Sequence, residues 1–582
     1  MRRSKRPLIF LSALALGAAA QSFANDNDAP PHGAGIRHVL LISIDGMHAI
    51  DFINCANALA GVNGGAPYCP HLAQLRETGA NYLDVSTSRP SDSFPGLMAI
   101  VSGGSPRTVG AFYDVAYDRS LAPPAKATGN GLAAGTCTPG VFNGTTTEYE
   151  EGIDADQAFL NGIGATGGDG GVASIDPGKL PRDPAHGCAP VYPWNFVRTN
   201  TIFGVVHQAG GYTAWSDKHP AYAAVAGPNR SGPASQPANL DDYYSPEINS
   251  VPIALPFPGC SAADDPNFAS LGAYTDSFAF SRCYDTLKVN GIVNQIDGFT
   301  HNRAARARVP SLFGMNFQAV SVGQKLIEPD VGSGGYLDAL GTPGSQLLAQ
   351  IQFVDTAIGR FVAELQKQGL SDSTLIVITA KHGQSPVDSP RYTRITATGP
   401  LTTSPSRLID GCLPDSESNA GGQIGPTEDD VSLLWLRSGC SAATEVAALE
   451  TQSGAASNAA GIGQIFWGAA LTQLFNAPGL PPKGDPRTPD IIVTPNIGVT
   501  YSKSKAKLAE HGGFAHDDVS VMLLVANPAF AARTITAPVQ TAQVAPTILE
   551  ALGLEPERLQ AVQIEGTQGL PGLDLDRDGA RR

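Results

Sequence analysis

Residues 38–44 form a nearly continuous apolar run without polar alternation, the pattern of a strand buried on both faces of a parallel sheet. Residues 374–379 repeat that pattern. Helical spacing is found at 70–79, 94–101, 201–209 and 344–367, the last amphipathic about Ile351, Val354, Ile358, Phe361 and Leu365. Further strands are predicted at 80–85, 213–216, 311–320, 490–494 and 519–525, and a closing helix at 545–553. Strands alternating with helices over this length predict an α/β fold, a doubly wound, mostly parallel sheet sandwiched by helices, with ligands at the carboxyl ends of the strands. Residues 122–192, 226–290 and 388–470 lack such periodicity and read as loop-rich insertions in one domain spanning 37–570. A linker is predicted at 25–36 and a polar tail at 571–582. The tail resembles only the start of a calcium-binding loop, because the chain ends before the position-twelve carboxylate.

Four short segments place reactive residues where a strand gives way to a loop or a helix begins. They are Val39-Leu-Leu-Ile-Ser-Ile-Asp45-Gly46, Ser91-Asp-Ser93-Phe-Pro-Gly96, Leu375-Ile-Val-Ile-Thr-Ala-Lys381-His382-Gly383 and Glu510-His511-Gly512-Gly513. Together and in this order they resemble the alkaline phosphatase superfamily, and within it the type I phosphodiesterase/nucleotide pyrophosphatase family. In that family an Asp after the first strand, a Ser or Thr before Phe-Pro, an Asp-His-Gly and a late His-Gly surround two zinc ions. The resemblance implies Ser93 as nucleophile, attacking phosphorus to give a phospho-enzyme that water hydrolyses. It implies Asp45, His382 and His511 as metal ligands. Ser93 also opens a predicted helix, where free N–H groups favour an anion.

The chain departs from the family pattern at three of six ligand slots. Lys381 replaces Asp, and Val320 and Gln324 stand where a Pro-Asp-x-x-Gly-His element supplies Asp and His. Asp114 occupies the slot of an Asn that binds a phosphoryl oxygen, which requires a protonated carboxyl or a less charged substrate. Two complete zinc sites cannot be built from what remains, since zinc takes about four ligands. One metal or none is expected, with His516, Asp517 or Asp518 as extra ligands by spacing alone. Lys381 is then expected to pair with Asp45 and to act as a catalytic cation, and Asp114 is read as a catalytic residue together with Ser93 and Lys381. Asp217-Lys218-His219 ends a predicted strand, and Lys218, His219 and Gln324 are read as substrate contacts.

Composition narrows the partners. A net charge of −15 argues against nucleic-acid polymers and anionic membranes, but not against a small anionic substrate. Arg2, Arg3, Lys5 and Arg6, an apolar stretch over 8–20 and Ser22-Phe23-Ala24 predict a signal peptide over 1–24 and export to periplasm or medium. No later run is long enough to span a membrane. Eight cysteines, none in a Cys-x-x-Cys motif, suit an oxidising compartment. Pairing them sequentially, 55–69, 137–188, 260–283 and 412–440, closes the shortest loops. The expected function is an exported phosphoryl-ester hydrolase of phosphodiester type with a serine nucleophile and a reduced metal site. The alternatives are a phosphate-binding or sensing protein on the same scaffold and a sulfatase, the latter weakened by Leu97 where the sulfatase motif has Arg.

Overall fold

The computed structural model describes residues 35–573 and 575, apart from 155–170, 230, 397–402, 416–424, 454–459 and 503. The predicted signal peptide and most of the linker and polar tail lie outside the described residues.

Twelve strands form the two larger sheets. Eight build the main sheet: β1 (His38–Ile44), β2 (Gly79–Tyr82), β3 (Thr213–Ser216), β4 (Asp242–Tyr243), β5 (Leu312–Phe317), β6 (Thr374–Thr379), β11 (Leu523–Ala526) and β12 (Arg533–Ile535). Their order is β12-β2-β11-β6-β1-β5-β3-β4. The run from β6 to β4 is parallel throughout, and β11 alone runs antiparallel to its neighbours β6 and β2. This is the predicted α/β architecture, a mixed but mostly parallel sheet. The register of β1 with β5 places Gly314 against Leu41, where a Cβ would fall 1.7 Å from the Leu41 carbonyl oxygen.

Helices cover the sheet in two groups. One comprises α1 (Ala49–Asn57), α2 (Pro70–Arg76), α5 (Phe278–Ile296), α6 (Ala319–Lys325) and α7 (Ser345–Lys367). The other comprises α3 (Ser93–Ser102), α4 (Ile202–Gln208) and α9 (Val544–Ala551). The apolar stripe predicted on α7 is the face it buries, with Ile351, Val354, Ile358, Phe361 and Leu365 all in the core.

Two expectations need correction. Residues 278–296, assigned to a loop-rich insertion or left unassigned, form the nineteen-residue helix α5. Its buried residues include Ser281, Asp285, Lys288 and Gln295 as well as apolar ones, so no amphipathic stripe marks it in the sequence. Residues 311–320, expected as one strand, are β5 followed by α6. Asp285 of α5 sets that break, accepting the backbone N–H groups of Gln318 and Ala319 at 2.9 Å each.

The insertion at 388–470 also carries regular structure. β7 (Thr427–Glu428), β8 (Ser432–Leu434), β9 (Ile462–Trp467) and β10 (Ile491–Pro495) form a second, antiparallel sheet in the order β7-β8-β10-β9, packed on α8 (Ala442–Ser453). The strand predicted at 490–494 therefore belongs to this sheet rather than the main one.

Four disulfides join Cys55–Cys69, Cys137–Cys188, Cys260–Cys283 and Cys412–Cys440, the sequential pairing. They point to an extracytoplasmic, oxidising location. No described helix is long and apolar enough to cross a membrane. Thiol titration of denatured, unreduced protein is expected to find no free cysteine. Reduction is expected to lower stability by about 2–4 kcal/mol for each bridge opened, read from denaturant midpoints; a stoichiometric free thiol would contradict the pairing.

Candidate active site

Four neighbouring strands, β6, β1, β5 and β3, end on one edge of the main sheet. They deliver Lys381 and His382, Asp45, Asn316 and Gln318, and Asp217 and Lys218, respectively. Convergence at the carboxyl ends of parallel strands is what the fold class prescribes.

Ser93 reaches this edge as the first residue of α3. Asp92 caps the helix, accepting from the Phe94 N–H at 3.2 Å and from the Asp114 N–H at 3.0 Å. The helix comes close because residue 96 is glycine: a Cβ there would lie 2.2 Å from the Lys381 carbonyl oxygen. Ser93 Oγ accepts a hydrogen bond from Lys218 Nζ at 2.8 Å and lies 3.1 Å from His382 Nε2. His382 Nδ1 is 2.7 Å from the Gly383 carbonyl oxygen. A carbonyl only accepts, so Nδ1 carries the proton and Nε2 turns its lone pair to the Ser93 hydroxyl. Burial pushes the His382 imidazole down despite the opposing pull of Asp45, which keeps it neutral at neutral pH.

Lys381 Nζ donates to Asp217 Oδ1 at 2.7 Å and is 3.9 Å from Asp45 Oδ2. It also sits 4.5 Å from the centre of the Tyr222 ring. Its closest acidic partner is thus Asp217, and the expected partner Asp45 comes second. Asp45 Oδ2 accepts instead from Asn316 Nδ2 at 3.1 Å and from Gln318 Nε2. Burial works against the Asp45 charge, but the ammonium of Lys381 foremost, with that of Lys218 beyond it, holds the carboxyl well below the usual range. Asp217 also accepts from Trp215 Nε1 at 3.1 Å and from the Lys218 N–H at 2.8 Å.

The remaining candidates divide between this centre and its surroundings. Burial raises the Asp114 carboxyl, with Lys218 and His219 opposing, which favours a neutral acid there. The His511 ring centre is 3.9 Å from that of His382, and its buried Nδ1 has no hydrogen-bond partner among the described residues. His219 Nδ1 lies 2.8 Å from both carboxylate oxygens of Glu247, and burial followed by the Lys218 charge pushes its imidazole down to about 4. Gln324 is turned away from Ser93. Its Nε2 donates to the Gly46 carbonyl at 2.7 Å and to Tyr336 Oη at 2.8 Å, beside His48 and Asp51. His516 is at the surface, its side chain 86% exposed. Asp217, Asn316, Gln318 and Tyr222 were not among the expected site residues. The first three follow the same strand-end rule that marks Asp45, whereas nothing in the local sequence singles out Tyr222.

The residues present do not fit the family's pair of metals. Asp45, His382 and His511 do not bring three ligand atoms within 4.8 Å of one another, whereas Glu151, His219 and Glu247 do. Val320 is fully buried in the apolar core, Gln324 is committed elsewhere, and two ammonium groups stand beside Asp45 and Ser93.

The family model for type I phosphodiesterase/nucleotide pyrophosphatase matches residues 39–150 and 338–516, half of the chain. The chain belongs to this family. Among solved structures it is similar to murine ectonucleotide pyrophosphatase/phosphodiesterase 5, at 14% identity over 89% of this chain and 96% of that one, with a TM-score of 0.49. An inactive form of the murine protein in complex with AMP matches at 14% identity over 89% and 96%, with a TM-score of 0.46. The human counterpart matches at 13% identity over 89% and 95%, also with a TM-score of 0.46. No curated protein matches the chain. The segments that match the phosphodiesterase family contain Asp45, Ser93, Asp114, Lys381, His382 and His511, whereas Asp217, Lys218, His219 and Gln324 lie in the unmatched stretch between them.

Replacing Lys381 with Met is expected to cost about 3–5 kcal/mol, because it leaves the buried Asp217 and Asp45 carboxylates without their ammonium. The double variant Lys381→Met/Asp217→Asn should recover part of that loss in urea unfolding at pH 7. Unchanged stability of the single variant would show that the pair contributes nothing.

Proposed function

We propose that this family member is an exported hydrolase of phosphoryl esters, of phosphodiester type, in which ammonium groups take the electrostatic role of the family's metals. The observation that carries this reading is the placement of Ser93 Oγ between Lys218 Nζ at 2.8 Å and His382 Nε2 at 3.1 Å. A serine hydroxyl near neutral pH needs a base or a depressed pKa to attack. Neutral His382 is that base, and Lys218 stabilises the alkoxide as it forms.

Ser93 Oγ attacks phosphorus, and its proton passes to His382 Nε2. The bond from phosphorus to the leaving oxygen, on the face opposite Ser93, breaks and that oxygen takes a proton from solvent. Water then attacks the phosphoserine from the vacated face and gives its proton to solvent, while the serine–phosphorus bond breaks and His382 returns its proton to Ser93 Oγ. Lys218 and Lys381 supply positive charge to the phosphoryl oxygens, and burial, by raising the Asp114 carboxyl, lessens its repulsion. Ser93, Lys381 and His382 are wholly buried, while Lys218 and Asp114 keep 8% and 9% exposure, which marks the side from which substrate enters. His219 and Gln324 are engaged by other partners and take no part in this reaction.

A second reading, a phosphate-binding protein on the same scaffold, is favoured by the complete burial of Ser93. Turnover of a chromogenic phosphodiester, phosphomonoester and sulfate ester separates the readings. The diester is expected to be hydrolysed, with phosphate trapped on Ser93 in acid-quenched protein. Ser93→Ala should lose roughly three orders of magnitude or more in rate. Its melting temperature should move by only a few degrees, because the α3 cap at Asp92 is untouched. Lys381→Met should lose activity without rescue by added zinc. Full activity in Ser93→Ala would refute the mechanism, and saturable phosphate binding without turnover would establish the second reading.

A further inference from the structure

The loop that carries Lys218 runs straight into a buried acidic cluster that the proposed reaction does not use. Next to Lys218, His219 Nδ1 is 2.8 Å from both oxygens of Glu247, and Glu247 is itself fully buried. Glu151, His219 and Glu247 bring one ligand atom each within 4.8 Å of one another. Asp154 supplies an independent observation. Its side chain is 0% exposed, no N–H or hydroxyl donor among the described residues reaches either carboxylate oxygen, and its carboxyl faces that of Glu247. Glu151 Oε2 is likewise buried and unpartnered. Buried carboxyl groups crowded together without donors are costly unless a proton or a cation compensates them. Lys179 reaches the Asp154 backbone carbonyl rather than its carboxylate, and Lys218 is committed to Ser93.

We propose that Glu151, His219 and Glu247, which already converge, bind one divalent transition cation of the zinc class, with the adjacent Asp154 carboxyl drawn in as the fourth ligand, separate from the Ser93 centre. One imidazole nitrogen and three carboxylates make a four-ligand N/O set. Calcium and magnesium favour all-oxygen sets, whereas an imidazole in the set suits zinc. The residues come from distant parts of the chain. Glu151 and Asp154 flank a short 3₁₀ turn, His219 follows β3, and Glu247 follows β4. The Ile248 N–H donates to the Lys218 carbonyl at 3.0 Å, so Glu247 and His219 already sit on adjoining backbones. A cation joining them holds Lys218 in place from behind, which makes this a positioning site rather than a catalytic one.

The test uses the full secreted chain, stripped with a chelator and titrated with zinc by calorimetry, with metal counted by elemental analysis and stability read by thermal shift. One zinc per chain at this site and a higher melting temperature on binding are expected. Glu247→Gln should weaken zinc binding on the order of 100-fold or more, since loss of a ligand costs at least as much as loss of a supporting group. Asp154→Asn should do the same, and its unpartnered carboxylate makes it the variant that folds if Glu247→Gln does not. Asp45→Asn should leave the zinc stoichiometry unchanged. The proposal is overturned if the stripped protein binds no zinc saturably, if both cluster variants bind zinc like the parent, or if Asp45→Asn abolishes binding. Because the readouts are metal content and stability, they stand whether or not the protein hydrolyses phosphoesters.

Discussion

The Lys381–Asp217 ion pair ties β6 to β3 across the two strands that lie between them. Both side chains are fully buried, so the pair gives up several kcal/mol of hydration per ion and persists only where other groups share the charge. Those groups are the site itself. Trp215 and the Lys218 backbone complete Asp217, Tyr222 underlies Lys381, and Asp45 stands on its far side. Lys218, the residue after Asp217, is thereby aimed at Ser93. In the family pattern a metal gathers these strand ends; here an ammonium on β6 gathers them.

This arrangement explains why the framework was legible and the chemistry only partly so. Unalternating apolar runs followed by a polar residue exposed β1, β3 and β6 and the residues at their ends, because strands buried on both faces leave that mark. The helix α5 left none, since Asp285, Lys288 and Gln295 are buried among its apolar residues and erase the periodicity. Yet Asp285 begins α6, and Lys288 donates to the Asn316 carbonyl, so that unseen helix positions Asn316 and Gln318 around Asp45. The choice of Asp217 over Asp45 as partner for Lys381 depends on strand order, and strand order cannot be read from local sequence. The same holds for Gln324, whose position in the motif suggested the centre but whose amide is held by Gly46 and Tyr336.

The unmatched stretch between the two family segments supplies Asp217, Lys218, His219 and Glu247. The matched segments carry the serine, its histidine and the first aspartate, while the stretch outside the family match brings the cation on Ser93 and the acidic cluster behind it. In this chain Lys381 and the content of the stretch after residue 150 are therefore coupled. Lys381 without Asp217 would keep only the more distant Asp45, and Asp217 without Lys381 would be a buried carboxylate with neutral donors alone.

Tethered ammonium groups differ from metal ions in charge as well as in permanence. Two zinc ions would bring four positive charges to a phosphoryl group, whereas in the proposed mechanism Lys218 and Lys381 bring two, and the Asp45 and Asp217 carboxylates beside Lys381 cancel them. A phosphodiester carries one negative charge and a phosphomonoester up to two near neutral pH. A centre whose ammonium and carboxylate charges cancel would disfavour the doubly charged ester more strongly than the singly charged one. Substrate selection would then follow from electroneutrality at the buried strand ends, set by which residues the chain places there rather than by the supply of metal around it.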